Sequence, residues 1–150
     1  MRNRPFLVAF IIAHASISGS AIAQSYEFRN GYIFDQGYVK RISLSQAEKI
    51  ANIPGLFEPL MTFDWTRRKE EIKDTRVKRF GGRLVLEFGG NARLSLKNFS
   101  TRKGDGEFQL FKYIKSIPGY HIVGVEYGHD QPQFMLISES GGEIYFVNTN

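Results

Sequence analysis

Beyond position 83, apolar and polar residues alternate in short runs, with the two-residue period of strands whose two sides differ in environment. Runs of this kind fall at 84–88, 92–97, 108–115, 120–127, 133–138 and 143–147, and breaks that contain glycine separate most of them. Branched and aromatic residues dominate the runs. No stretch of helical period lies between them to serve as the crossover of a parallel sheet. The pattern predicts a mainly β fold: a curved antiparallel meander sheet, propeller-blade-like or a small sandwich or barrel, with one short N-terminal helix.

One hairpin can be placed in register from the residues alone. A two-residue turn at Gly89-Gly90 would set Leu86 opposite Arg93 and mix the two faces. A three-residue loop, Gly89-Gly90-Asn91, pairs Leu86 with Leu94 and Leu84 with Leu96, and sets Glu87 opposite Arg93. A slip of one residue inverts every side chain, so the second register is expected.

The later runs are apolar on both sides. Val123, Val125 and Tyr127 oppose Tyr120 and Ile122; Phe134 and Leu136 oppose Met135 and Ile137; Ile144 and Phe146 oppose Tyr145 and Val147. A sheet of this kind needs cover on both faces. The N-terminal part of the chain is the natural second cover, and a partner is the other source.

That N-terminal part is patterned less clearly. Residues 25–42 read as irregular or short strand, with Gly31 and Gly37 as breaks. Ser43 and Ser45 are candidate N-caps for a short helix, Gln46 to Asn52, in which Ala47, Ile50 and Ala51 share a face. Ile53-Pro54-Gly55 ends it, and 56–66 is an aromatic connector.

Residues 1–23 read as an address. Arg2 and Arg4 are followed by the apolar run Phe6 to Ala15, then by small residues ending in Ala21-Ile22-Ala23. This order of charge, apolar run and A-x-A site is that of a secretory signal peptide. The alternative is a buried N-terminal helix. The run is shorter than the roughly 20 residues that span a bilayer. The expected organisation is a signal peptide, 1–23, followed by a single β-rich domain, 24–150.

Composition narrows the classes further. The 150 residues carry a formal charge of +5 and no cysteine. There is therefore no disulfide framework, thiolate metal site or cysteine nucleophile. An exported chain without cysteine suits a bacterial periplasm, or the extracellular side of a bacterium, better than a small animal secreted domain.

The stretch from Leu84 to Asn148 carries RLVLEFGGNARLSL, FQLFKYIKSIPGYHIVGVEYG and QFMLISESGGEIYFVN. These runs resemble the opening strands of bacterial exported β-propeller-like proteins of unknown function, in which an aromatic-rich strand precedes a Ser-Gly-Gly type turn. Such repeats usually continue into a Ser-Pro-Asp-Gly segment and further blades, which this sequence lacks. One or two blades cannot close a propeller. The resemblance therefore implies an exported β-sheet protein and no particular activity.

Candidate chemistry is sparse. His121, Glu126, His129 and Asp130 form the one group with metal-ligand or acid–base character. His121 and Glu126 are five apart on one expected strand and so point to opposite faces, whereas zinc needs three or four converging ligands. A strand-end histidine and an Asx-type turn before Pro132 explain the same residues. Asp105 and Glu107 flank Gly106, but two acids fall short of the six to eight oxygens calcium takes. Glu70 and Glu71 stand among bases that keep both ionised. No G-x-S-x-G, H-E-x-x-H or G-x-x-x-x-G-K-[ST] occurs, and Ser116, Ser138 and Ser140 show no triad order. No catalytic residue, metal or cofactor is assigned.

The charge gathers in 67–83, where eight bases oppose Glu70, Glu71 and Asp74. One reading is a solvated strand edge, guarded by Lys and Arg against edge pairing. The functional reading assigns Arg67, Arg68, Lys69, Arg76, Lys78 and Arg79 to a partner surface. The leading expectation is an exported, periplasmic, non-enzymatic binding or interaction module that contacts a protein partner, an inhibitor or immunity-type protein being one concrete form. Two alternatives stand beside it. One is an envelope hydrolase using His121 or His129 with Glu126 or Asp130. The other is an envelope structural protein that holds an anionic polymer through 67–83. Nucleic acid is not an expected partner of an exported chain, and no transmembrane segment is expected after the leader.

Overall fold

A computed structural model describes residues 25–28, 39–65, 67–89, 92–100, 108–127, 133–140 and 143–149. The expected leader, the loop with Asp105 and Glu107, and His129 and Asp130 lie outside the described residues. No helix among those described is long and apolar enough to cross a membrane.

The strands form two sheets. In chain order they are β1 (Ser25–Phe28), β2 (Val39–Ser43), β3 (Val77–Phe80), β4 (Arg83–Glu87), β5 (Arg93–Lys97), β6 (Phe99–Ser100), β7 (Phe108–Ile117), β8 (Tyr120–Glu126), β9 (Gln133–Ser138) and β10 (Ile144–Asn148). The smaller sheet runs β1-β5-β4-β3 and the larger runs β2-β10-β9-β8-β7-β6. Strands β7 to β10 make the expected antiparallel meander, each paired with the next. The β4–β5 hairpin has the expected register: Leu84 faces Leu96, Leu86 faces Leu94 and Glu87 faces Arg93. The Phe88 N–H closes it on the Ala92 carbonyl at 2.8 Å. The carboxylate of Glu87 meets Lys78 of β3 at 3.1 Å.

The strands divide between two sheets, within the expected mainly β class, because the chain leaves the small sheet at Asn98 and continues into β6 of the large one. The Asn98 N–H donates to the Gly82 carbonyl, 2.7 Å, while its side-chain oxygen accepts the Phe111 N–H, 2.8 Å. Next, β1 and β2 add to the two sheets as parallel strands, on β5 and β10 respectively. Finally, the aromatic connector contains a second helix, a single turn. The helices are α1 (Leu44–Ala51) and α2 (Glu58–Met61). One turn of four residues is too short to show a helical period.

The two sheets pack face to face. Leu84, Leu86, Leu94 and Leu96 meet Val123, Val125, Met135 and Ile137 in one core. The other face of the large sheet carries Ile122, Phe134, Leu136 and Val147. It is covered by Ala47 of α1, by Leu56 and Phe57, and by Leu60 of α2. Fully burying each large apolar side chain contributes about 1.5–3 kcal/mol. The large sheet is thus the middle of three layers, and the chain supplies both covers itself.

Local signals fix where the helical layer begins and ends. Ser43 Oγ accepts the Gln46 N–H, and Gln46 Oε1 accepts the Ser43 N–H at 2.8 Å, a capping box. Asn52 ends α1 at φ 59°, the left-handed conformation that asparagine tolerates.

Trp65, 2 % exposed, closes the layer over β8. It can approach because position 124 is glycine. A Cβ there would stand 3.2 Å from two atoms of the indole ring. Gly124→Ala should therefore destabilise the fold by about 1–3 kcal/mol through overpacking. Thermal unfolding reads this as a fall of several degrees in Tm, and an unchanged Tm would place the indole elsewhere.

Candidate functional site

One polar cluster lies at an end of the two-sheet core, with His121 and Tyr113 buried, Asp74 and Glu139 half-buried and Ser116 and Arg76 exposed, and the β7–β8 hairpin builds it. Gly119 takes φ 83° in the turn, which a glycine accepts without strain. The turn pairs Ile117 with Tyr120 and Ser116 with His121. A register shift between Tyr113 and Lys115 inserts Ile114 as an extra residue. Tyr113 then joins the core between the sheets, and Ile114 joins the helical side.

His121 is 0 % exposed. Its Nδ1 lies 3.0 Å from Ser116 Oγ. Ser116 also bonds the Tyr113 hydroxyl and donates to Asp74 Oδ2 at 2.8 Å. Asp74 precedes β3 and Glu139 follows β9, and Arg76 joins the two. Arg76 Nη2 is 2.9 Å from Asp74 Oδ2 and 2.7 Å from Glu139 Oε2, while Arg76 Nε reaches Asp74 Oδ1 at 3.1 Å. The Glu139 N–H donates to the Gly119 carbonyl at 3.0 Å, which fixes this turn against the hairpin.

The protons can be assigned by counting. Ser116 has one and gives it to Asp74. Tyr113 O–H and His121 Nδ1–H must then both donate to Ser116 Oγ. Burial, against the pull of Glu139 and Asp74, holds the His121 pKa below its ordinary value and favours the neutral ring. Its Nε2 then carries a lone pair. That atom is buried, has no hydrogen-bond partner among the described residues, and lies 3.7 Å from Glu139 Oε2. The Arg76 hydrogen bond is the largest influence on Asp74, whose carboxyl lies far below the usual range.

A cleft of about 330 Å³ opens beside the cluster. Asp74, Tyr113 and Ser116 form part of its wall; Arg68, Lys73 and Lys115 bring three positive charges to it, and Glu71 and Asp74 bring two negative ones.

The sequence-derived candidates separate in space. His121 shares a face of β8 with Val123 and Val125; Glu126 lies on the opposite one, where burial raises its carboxyl against the pull of Lys112. The two do not meet. Of the basic segment, Arg76 belongs to the polar cluster and Lys78 pairs with Glu87. Arg79 is held by Glu70 at 2.7 Å and by the Phe111 carbonyl at 2.7 Å. Arg67, Arg68 and Lys69 remain exposed. The Arg68 guanidinium lies 5.5 Å from the ring centre of Phe63, which is 54 % exposed.

Sequence reasoning did not join Asp74, Tyr113, Ser116 and Glu139 to His121. One of these was within reach, because a two-residue Pro118-Gly119 turn by itself places Ser116 across from His121. No family model, curated protein or solved structure matches this chain.

Proposed function

We propose that the protein is an exported, non-enzymatic interaction module that binds an acidic segment of a partner protein. The observation that carries this reading is an aromatic side chain in a cationic setting. Phe63 is exposed, the Arg68 guanidinium lies against its ring, and Arg67 and Lys69 flank it in sequence. Arg68 also lines the cleft, where Lys73 and Lys115 add further positive charge. A partner carboxylate entering the cleft meets these cations while apolar surface covers Phe63. Cation–π contact and desolvated aromatic area are common anchors of protein interfaces.

The leader pattern supports export, and for an exported chain the lack of cysteine suits a bacterial periplasm. Arg76, Lys78 and Arg79 pair with Glu139, Glu87 and Glu70, and Arg67 pairs with Asp64 at 3.5 Å but is highly exposed, so the proposed docking surface is centred on Arg67, Arg68 and Lys69.

The test uses the immobilised protein and a host envelope extract, with the captured protein then purified and titrated. The expected result is one acidic partner whose affinity falls about tenfold or more in an Arg67→Glu/Arg68→Glu variant, and again in Phe63→Ser. Its association should also weaken with salt. Affinity unchanged in both variants would overturn the reading.

A further inference from the structure

We propose that Asp74, His121 and Glu139 bind a divalent transition cation of the zinc class. One ligand atom from each lies within 4.8 Å of the others. A cluster of acids alone would carry little weight. The independent observation is His121 Nε2: it is fully buried, has no hydrogen-bond partner among the described residues, and is aimed at Glu139. Trp65 Nε1 and Arg79 Nη1 are also buried without a hydrogen-bond partner, but His121 Nε2 belongs to a group of three ligand-bearing side chains, where an ion is one of the standard explanations.

The chemistry fits the metal class. Nδ1 is turned to Ser116, so Nε2 is the ring nitrogen left facing the carboxylates, where a cation would meet it. Nδ1–H is held by Ser116, whose hydroxyl is in turn held by Asp74, so the ring orientation is fixed as outer-shell partners of metal-bound histidines fix it. Zinc bonds to imidazole and carboxylate measure about 2.0–2.2 Å, which places tetrahedral neighbours roughly 3.4 Å apart. The observed 3.7 Å between Nε2 and Glu139 Oε2 needs a closure of a few tenths of an ångström, whereas Asp74, whose Oδ2 lies 4.0 Å from Nδ1 in a group spread over as much as 4.8 Å, must swing in by about 1 Å as Arg76 leaves. A nitrogen ligand with two carboxylates suits zinc and its neighbours better than calcium, which takes oxygen.

Arg76 now stands between the carboxylates. Its Nη2 touches Asp74 Oδ2 and Glu139 Oε2, and it neutralises them as a cation would. Its side chain is 47 % exposed and can swing into solvent. The guanidinium is therefore a resident counter-ion that a divalent cation displaces. Three protein ligands leave a fourth position for water. Asp74 is on the cleft wall, so the cation has a route of entry.

Displacement gives the test a sign that simple loss of charge does not. Zinc chloride is titrated into the purified full chain and followed by calorimetry and native mass spectrometry. One zinc per chain is expected. Arg76→Ala should tighten it about tenfold or more by removing the competitor, while Glu139→Gln should weaken it at least tenfold, in line with the usual sensitivity of metal sites. His129→Gln should leave it unchanged. The imidazole nitrogen resonances of His121 in the unaltered protein give a readout that needs no variant, with Nε2 shifting on zinc addition and Nδ1 remaining protonated. Absence of binding to the unaltered chain would overturn the proposal. So would zinc binding that persists in Glu139→Gln, or that leaves the His121 resonances unmoved.

Discussion

Phe134→Ala should lower the free energy of unfolding by about 3–5 kcal/mol, the usual range for truncating a buried aromatic side chain. Phe134 is 1 % exposed on the helical face of the large sheet. Its ring centre is 5.4 Å from that of Phe57 and 6.4 Å from that of Trp65. It is the point at which the α1–α2 segment and the tryptophan turn both meet the sheet. Removing the ring leaves a void that neither helix can fill alone, since α2 is one turn long and α1 two. Urea unfolding measures the loss. Hydrogen exchange locates it: amides of α1 should lose more protection than those of β3 and β4, which lie across the other core. A cost below about 1 kcal/mol, or equal loss of protection in both layers, would mean that the helical layer is not seated on Phe134.

The middle sheet was legible because its side chains declare two faces. The alternation in 120–127, 133–138 and 143–147 sorts residues into the same two groups that form the two cores. Leucines spaced two apart fixed the β4–β5 register before any distance was known. The parallel strands β1 and β2 were not legible. Their partners β5 and β10 are far away in sequence, and parallel pairing leaves no tight turn to mark it. The division into two sheets was hidden for a related reason. It depends on Asn98, a single polar residue whose hydrogen bonds to Gly82 and Phe111 carry the chain from one sheet to the other.

The cluster around His121 was legible only across its hairpin. Ser116 follows from the Pro118-Gly119 turn. Asp74 and Glu139 come from turns outside the ladder, and no strand periodicity positions them. Asp74 also sits within a basic stretch, where an acid reads as mere neutralisation. The same stretch shows how charge in sequence misplaces charge in space. Arg76 and Arg79 look like unpaired cations in the string, but Arg76 is held by Glu139 from far along the chain and Arg79 by Glu70 of the same stretch.

Glu70 is the second place where the fold should fail sharply. Its carboxylate accepts Arg79 Nε at 3.0 Å and Nη2 at 2.7 Å, and it also accepts the Tyr113 N–H at 2.8 Å. Arg79 belongs to β3 and Tyr113 to β7, so one side chain ties the two sheets together. The pair is largely shielded, with side-chain exposures of 16 % and 23 %. Glu70→Gln should cost about 3 kcal/mol, because it leaves a guanidinium at a semi-buried site without its counter-charge. Glu70→Gln/Arg79→Met should recover part of that loss, since replacing both charges leaves neither unpaired. Acid should weaken the unaltered protein in the same way. Burial alone would raise the Glu70 carboxyl, but the hydrogen bonds of Arg79 and Tyr113 and the charges of Arg79 and Lys112 hold it below its ordinary value of 4.5. The unfolded chain therefore binds the proton more readily. The contribution of Glu70 is complete above that value and is lost as the pH falls through it toward the lower folded one. Urea unfolding between pH 7 and pH 3 should show the gap between the unaltered protein and Glu70→Gln shrinking over the acid end. A gap that stays constant with pH would mean that Glu70 acts by shape and hydrogen bonding, without its charge.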